Sequence, residues 1–233
     1  MNSLWHATSC TDSLTIFCCL IEDTMMLPTH ALAGMVLALP LIAVAPEFAA
    51  VALVAGLFGG VFPDLDMYTG HRKTLHYPVY YSVLAAIAIT VALFVPTTGS
   101  VAAAFFLLGA AVHSVSDVFG GGLELRPWEG TSDRAVYDHY HGRWIAPRRW
   151  VRYDGSPEDL LLSMTLALPL LVALDGILQA IVIAALVVGA VYAAVRRVLP
   201  VLAVVLVELV PKPILAYVPR RYTAGRSGDL GDR

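Results

Sequence analysis

Seven side chains of this sequence combine the types and spacing needed for metal chemistry: His30, Asp64, Asp66, His71, His76, His113 and Asp117. Imidazole nitrogen and carboxylate oxygen both bind divalent cations, zinc among them. His113 and Asp117 stand four apart, so a helix puts them on one face. Taken alone, that pair reads equally as a helix-end histidine with a capping or ion-paired aspartate. Asp64 and Asp66 flank Leu65 directly after Pro63, which predicts a turn. Two carboxylates so close repel each other unless a cation or hydrogen-bond donors intervene. A divalent ion removes the repulsion; a solvated turn with an N-cap for a following helix is the simpler reading. His71 and His76 are five apart, roughly 140° around a helix of 3.6 residues per turn, so a regular helix would not aim both at one ion. Gly70 and Pro78 bracket them and predict a loop. Between them, Arg72 suits a phosphate or carboxylate that it can grip bidentately, or it is a topology-setting charge at the lipid headgroups. His30 follows Pro28-Thr29 at the start of an apolar run. A lone histidine at a helix start is usually structural, and His30 gains weight only from its company.

These groups must be positioned by elements that belong in a membrane. The chain has 233 residues, of which 58% are hydrophobic and 14% charged, against about 25% charged in a soluble domain. Its mean hydropathy is +0.72. So much apolar surface cannot be hidden in a water-soluble fold of this size. Disordered, collagen-like and disulfide-rich secreted classes are excluded. A net charge of −3 with no long basic run excludes a strongly basic nucleic-acid binder. The three cysteines, Cys10, Cys18 and Cys19, form no C-x-x-C pair and lie far from the later histidines, against a disulfide framework or thiolate zinc site.

Six apolar segments can be read, at about 30–45, 48–62, 78–95, 101–118, 159–174 and 176–195. The expected fold is therefore all-α: a polytopic helical membrane protein of about six transmembrane or membrane-embedded helices. A spanning helix needs about 17–25 residues, so the first two segments are short and are expected to be tilted, re-entrant or partly buried. A further stretch, 198–210, is short for a span and suits the interface. Of the 15 Lys and Arg, two lie in the loop 63–77, six in the loop 119–158 and seven from Arg196 onward. Alternating spans put all three regions on one side, and the positive-inside rule makes that side cytoplasmic, with both termini inside. The turns on the other side carry Glu47 and Asp175 and no basic residue. All seven candidate groups fall at the inner face of this arrangement.

Residues 1–25 read as a dispensable extension, because 1–24 carry no Lys or Arg and Met25-Met26 opens the patterned part. A short helix lying on the membrane is the alternative. Residues 26–198 form the membrane-embedded domain, and 199–233 an interfacial segment with a basic tail. The loop 119–158 opens with Gly120-Gly121-Gly122 and interleaves Trp128, Tyr137, Tyr140, Trp144, Trp150 and Tyr153 with six Arg and six acids. Aromatic and Arg side chains together suit the headgroup region. The loop thus anchors the chain at the interface, or caps the site and handles an anionic headgroup. His139 and His141 could add a ligand, but no spacing ties them to the other cluster.

In order, His30, Pro63-Asp64-x-Asp66, His71-Arg72-x-x-x-His76 and His113-x-x-x-Asp117 resemble the YdjM-like family of membrane-bound, metal-dependent hydrolases, described also as LexA-regulated inner-membrane hydrolases. The resemblance runs from about Met26 to Leu162 and includes Gly155-Ser156-Pro157-Glu158, similar to the family's late Gly-Ser-x-x-Glu feature. It departs at Met67, where the family often has His, and at Lys73, Leu75 and Tyr77, where it often has Gly, Thr and Ser. The order is also similar to zinc-dependent phospholipase C, but that family's later His-x-x-x-Glu has no counterpart.

The resemblance implies a divalent-metal hydrolase in the inner (cytoplasmic) membrane, with His30, Asp64, Asp66, His71, His76, His113 and Asp117 as candidate ligands. The expected ion is zinc, with manganese the other choice. Asp64, Asp66 and Arg72 are the candidate catalytic residues: one of the two aspartates orients water or bridges metals. The expected partners are membrane lipids and a small-molecule or lipid substrate, not nucleic acid; the membrane setting favours a lipid or lipid-linked phosphoester. Two rival readings are a metal-ion transporter and a non-catalytic protein with a structural metal. Transport sites usually lie near the bilayer midplane on broken helices, whereas these residues gather at one face.

Overall fold

Proline marks where the helices start. Pro28, Pro46, Pro78 and Pro157 each occupy the first turn of a helix, where a missing N–H costs nothing and the fixed φ suits the helix. The computed structural model describes residues 25–202 and 205, apart from Thr69 and Leu125. The N-terminal extension 1–24 and most of the basic tail lie outside the described residues.

Helix α1 (Leu27–Val36) runs through turns into a short α2 (Leu41–Val44), and α3 (Pro46–Val61) follows at once. A 3-10 helix, Phe62–Tyr68, continues α3. Helix α4 (Pro78–Phe94) and α5 (Thr98–Ser116) are joined by a capping box between Thr97 and Ser100. After a 3-10 turn at Asp117–Phe119, the long loop 119–158 holds a second one at Pro127–Glu129 and a two-stranded antiparallel hairpin. Its strands are β1 (Val136–Asp138) and β2 (Arg143–Ile145), with Tyr137 opposite Trp144. Helix α6 (Pro157–Ala173) and α7 (Gly176–Val195) follow, and residues 199–202 are helical again after a turn.

The fold is helical, as expected from the sequence, and all six apolar segments are helices. Leu27–Val44, Pro46–Met67, Thr98–Phe119 and Gly176–Val195 are long and apolar enough to cross a membrane, and Pro78–Phe94 is a shorter apolar helix. These helices suit a membrane protein. The apolar surface fits that setting: Ile87, Leu93 and Phe94 of α4, Leu168 and Val172 of α6, and Ile177 and Val191 of α7 are exposed. The buried core gathers Leu32, Met35, Ala52, Leu53, Val101, Leu170 and Val182 from α1, α3, α5, α6 and α7.

Glycine lets the three site-bearing helices touch. At the α1–α3 crossing, a Cβ on either Gly34 or Gly56 would collide with the other's carbonyl. A Cβ on Gly60 would collide with the carbonyl of His30, and one on Gly59 with that of Phe106. Such backbone-to-backbone approach requires small residues and is a common device of packed membrane helices. Its effect here is to bring the start of α1 and the ends of α3 and α5 together.

One expectation is corrected. Asp64 and Asp66 are not in a free turn but in the 3-10 helix that extends α3. Pro63 has a helical φ yet cannot donate the next α-helical hydrogen bond, so the chain tightens instead of stopping.

Candidate metal centre

The end of α3, the loop before α4 and the end of α5 each contribute to one buried cluster. Ligand atoms of Asp64, His76, His113 and Asp117 all lie within 4.8 Å of one another. His113 Nε2 is 3.2 Å from Asp64 Oδ1 and 3.4 Å from Asp117 Oδ2. His76 Nε2 is 3.1 Å from Asp117 Oδ2 and 3.6 Å from Asp64 Oδ1. His76 and His113 are essentially without solvent exposure, and Asp64 is nearly so.

The other ring nitrogens decide what these four atoms can do. His113 Nδ1 lies 2.5 Å from the Gly60 carbonyl oxygen. That oxygen only accepts, so Nδ1 carries a proton, and a neutral ring would present its Nε2 lone pair to the cluster. His76 Nδ1 lies 3.0 Å from Asp66 Oδ2, and donating there would leave the Nε2 lone pair of a neutral ring facing the cluster as well. Neither Nε2 makes a hydrogen bond, and neither does Asp64 Oδ2. With both Nε2 atoms deprotonated, two lone pairs and two carboxylate oxygens converge in a buried space. Their mutual repulsion is relieved by a cation, and the donor set suits zinc, manganese or iron. The residues present fit a divalent metal.

The remaining expected ligands surround this group. Asp66 is a hub: Oδ2 accepts from the Leu75 backbone N–H at 2.9 Å as well as from His76, while Oδ1 sits 3.1 Å from His71 Nδ1 and 3.3 Å from the Arg72 backbone N–H. A carboxylate behind a metal-binding histidine orients the ring and raises its basicity. His71 therefore stands on Asp66, one layer out. His30 Nε2 is 3.0 Å from Asp117 Oδ1, and its ring stacks on His113 with centroids 3.7 Å apart. Ser116 Oγ is 3.4 Å from His30 Nδ1.

Arg72 is almost fully buried with a left-handed backbone at φ 59°. It is no headgroup-facing surface charge. Its Nη1 donates to the carbonyls of Gly121 and Ala135, and its own carbonyl accepts from Tyr137 N–H. It pins the His71–His76 loop to the loop 119–158. Nε and Nη2 make no hydrogen bond, which leaves donors for an anion.

The histidines of the hairpin stay apart from the cluster. His139 Nε2 lies 2.5 Å from the Lys73 carbonyl, and His141 Nδ1 lies 2.5 Å from Asp138 Oδ2. Burial raises the Asp138 pKa, but hydrogen bonds from the His141 side chain and from the backbone N–H groups of His141 and Tyr140 outweigh it and hold the carboxyl below its ordinary range. Burial pushes the Glu124 carboxyl up, against opposing pulls from the Ser132 backbone and Arg149.

Sequence reasoning passes over one group. Asp159, fully buried in the first turn of α6, accepts from Met26 N–H at 2.7 Å, Thr29 Oγ1 at 2.6 Å and Gly155 N–H at 3.1 Å. Thr29 Oγ1 is also 2.6 Å from Ser163 Oγ. This network holds the start of α1, and with it His30. The available signal was an acidic residue inside an apolar helix start; it reads more simply as a partner for the helix dipole. The adjacent Glu158 is instead paired with Arg152 at 2.8 Å near the surface.

Compared with family models, curated proteins and solved structures, the chain has no match.

Proposed function

We propose that the protein is a membrane-embedded, metal-dependent hydrolase that cleaves an ester or phosphoester, of a lipid or lipid-linked molecule, at the cytoplasmic face. The observation that carries this reading is the convergence of Asp64, His76, His113 and Asp117 with one carboxylate oxygen, Asp64 Oδ2, left without a hydrogen bond. The resemblance to YdjM-like hydrolases points the same way. His76, His113, Asp64 and Asp117 would hold the ion, with His30 adjoining through Asp117. When bound, a divalent cation supplies Lewis acidity, making water acidic near neutral pH and polarising a carbonyl or phosphoryl oxygen. Asp64 Oδ2, which makes no hydrogen bond, would accept the proton of an attacking water. Asp66 holds His76 and His71 in position, and the unpartnered Nε and Nη2 of Arg72 offer donors to an anionic oxygen.

A second reading rests on the ligand count. Four protein ligands complete a tetrahedral zinc site and leave no open position, as in structural centres. An ion of higher coordination number, such as manganese, retains open positions on the same four residues.

Hydrolysis by the detergent-purified protein separates the two. A panel of phospholipid and lipid-linked phosphoesters is incubated with protein loaded with zinc or manganese, beside Asp64→Asn. Metal-dependent product release, lowered at least a hundredfold in a variant that still binds metal, supports the hydrolase. Bound metal without turnover on any member of the panel favours the structural centre.

A further inference from the structure

A cavity of about 340 Å³ opens beside the helix ends, and its lining includes Trp128, Arg149, Arg152, Tyr153 and Arg197. Three arginines from two parts of the chain line it: two from the run before α6 and one from just beyond α7. Their pairing is uneven. Arg152 is neutralised by Glu158 at 2.8 Å. Arg149 Nη2 donates only to neutral carbonyls, Ser132 at 2.7 Å and Gly130 at 3.1 Å, and its buried Nε makes no hydrogen bond. Arg197 Nε donates to the Tyr153 hydroxyl at 3.0 Å, and its guanidinium lies 5.8 Å from the Trp128 ring centroid. Among the described residues no carboxylate forms an ion pair with Arg149 or Arg197, although the partly buried Glu124 lies near enough to feel the charge of Arg149.

Holding like charges together is costly, and this arrangement is built rather than incidental. Arg149 adopts a left-handed backbone at φ 54°, shared among the described non-glycine residues only with Arg72. Backbone hydrogen bonds from Arg148, Arg149 and Val151 to Val118, Gly120 and Phe119 lock its segment onto the chain that leaves Asp117. Arg196, whose guanidinium lies 5.6 Å from the Trp128 ring centroid, is fully buried against Asp154, which also accepts from Tyr192. The neighbouring Trp150 side chain is exposed, as expected where helices end among lipid headgroups.

We propose that this cavity binds a phosphate group, with Arg149 and Arg197 as its cationic donors and Trp128 and Tyr153 as its walls. Guanidinium groups recognise phosphate oxygens in forks, and the aromatic faces suit the apolar parts of a headgroup. The ligand is a phosphoester headgroup at the interface or a free phosphate of the same chemistry. This site stands independently of the metal centre and of hydrolysis.

Native mass spectrometry of the full chain in detergent tests it, with phosphatidylglycerol, phosphatidylcholine and inorganic phosphate as probes. Phosphatidylglycerol retained in preference to phosphatidylcholine, with at least tenfold weaker binding in an Arg149→Gln/Arg197→Gln variant and recovery in Arg197→Lys alone, supports a headgroup site. Competition by millimolar inorganic phosphate, lost in the same variant, supports a free-phosphate site. Equal retention of both lipids without phosphate competition overturns the proposal. So does unchanged binding in the double variant, whose helical circular dichroism and elution volume must match the parent.

Discussion

Asp66 stands directly behind His76: its Oδ2 lies 3.0 Å from Nδ1, while the opposite ring nitrogen faces Asp117 Oδ2 at 3.1 Å. One aspartate orients the imidazole and the other shares its putting-to-use face. The consequence is specific. Asp66→Asn keeps the shape and loses the charge behind the ring, so metal affinity should fall about 10–100-fold with the fold intact. Competitive titration with a chromophoric chelator measures this; unchanged affinity would remove Asp66 from its supporting role.

Metal binding should be visible as stability. An ion that binds only the folded chain adds about 2.7 kcal/mol at a hundred times its dissociation constant. Stripping the protein with a chelator should lower Tm, and restoring zinc or manganese should raise it again. An identical Tm in both states would argue against an ion held at this cluster.

Gly60 serves two neighbours, packing against the His30 backbone and accepting from His113 Nδ1. Gly60→Ala should force α1 away from α3, at a cost of about 1–3 kcal/mol from overpacking, and weaken metal binding with it. Gly99→Ala, near the exposed start of α5 with no close contact, is the control and should be neutral or slightly stabilising. Thermal unfolding of both variants gives the comparison.

Asp159→Ala removes the acceptor for Met26 N–H, Thr29 Oγ1 and Gly155 N–H at once. Leaving buried donors unsatisfied costs about 1–3 kcal/mol each, so the loss should exceed that of Glu158→Ala, whose salt bridge is near the surface. A smaller effect than Glu158→Ala would contradict the network's role in seating α1.

The hairpin predicts a pH effect. The Asp138 carboxyl is held below its ordinary range in the folded chain. Its contribution to stability is therefore present above the unfolded pKa and lost as pH falls through the folded one. Asp138→Asn should flatten the acid limb of the stability profile below about pH 4 and leave neutral metal binding unchanged.

Much of this was legible in the residues themselves. Hydropathy located the six apolar segments that form the long helices, and the four-residue spacing of His113 and Asp117 put them on one face. What the pattern could not rank was which groups converge and which stand behind. Asp64 and Asp66 are two positions apart, yet only Asp64 joins the four converging ligands, because the 3-10 path beyond Pro63 turns the two carboxylates in different directions. Arg72 read as a ligand-binding or surface cation; its burial depends on carbonyls of Gly121 and Ala135, about fifty and sixty residues away. Asp159 was hidden because three of its contacts come from loop and helix starts that only the packed fold brings together.

Elemental analysis of the detergent-purified protein tests the central claim most directly, beside a His113→Ala/Asp117→Ala variant and a His139→Ala control outside the cluster. The account predicts a stoichiometric divalent metal in the parent and in His139→Ala, lost from the double variant while its helical content persists. No stoichiometric metal in the parent, even after reconstitution, or equal metal in the double variant, would contradict it.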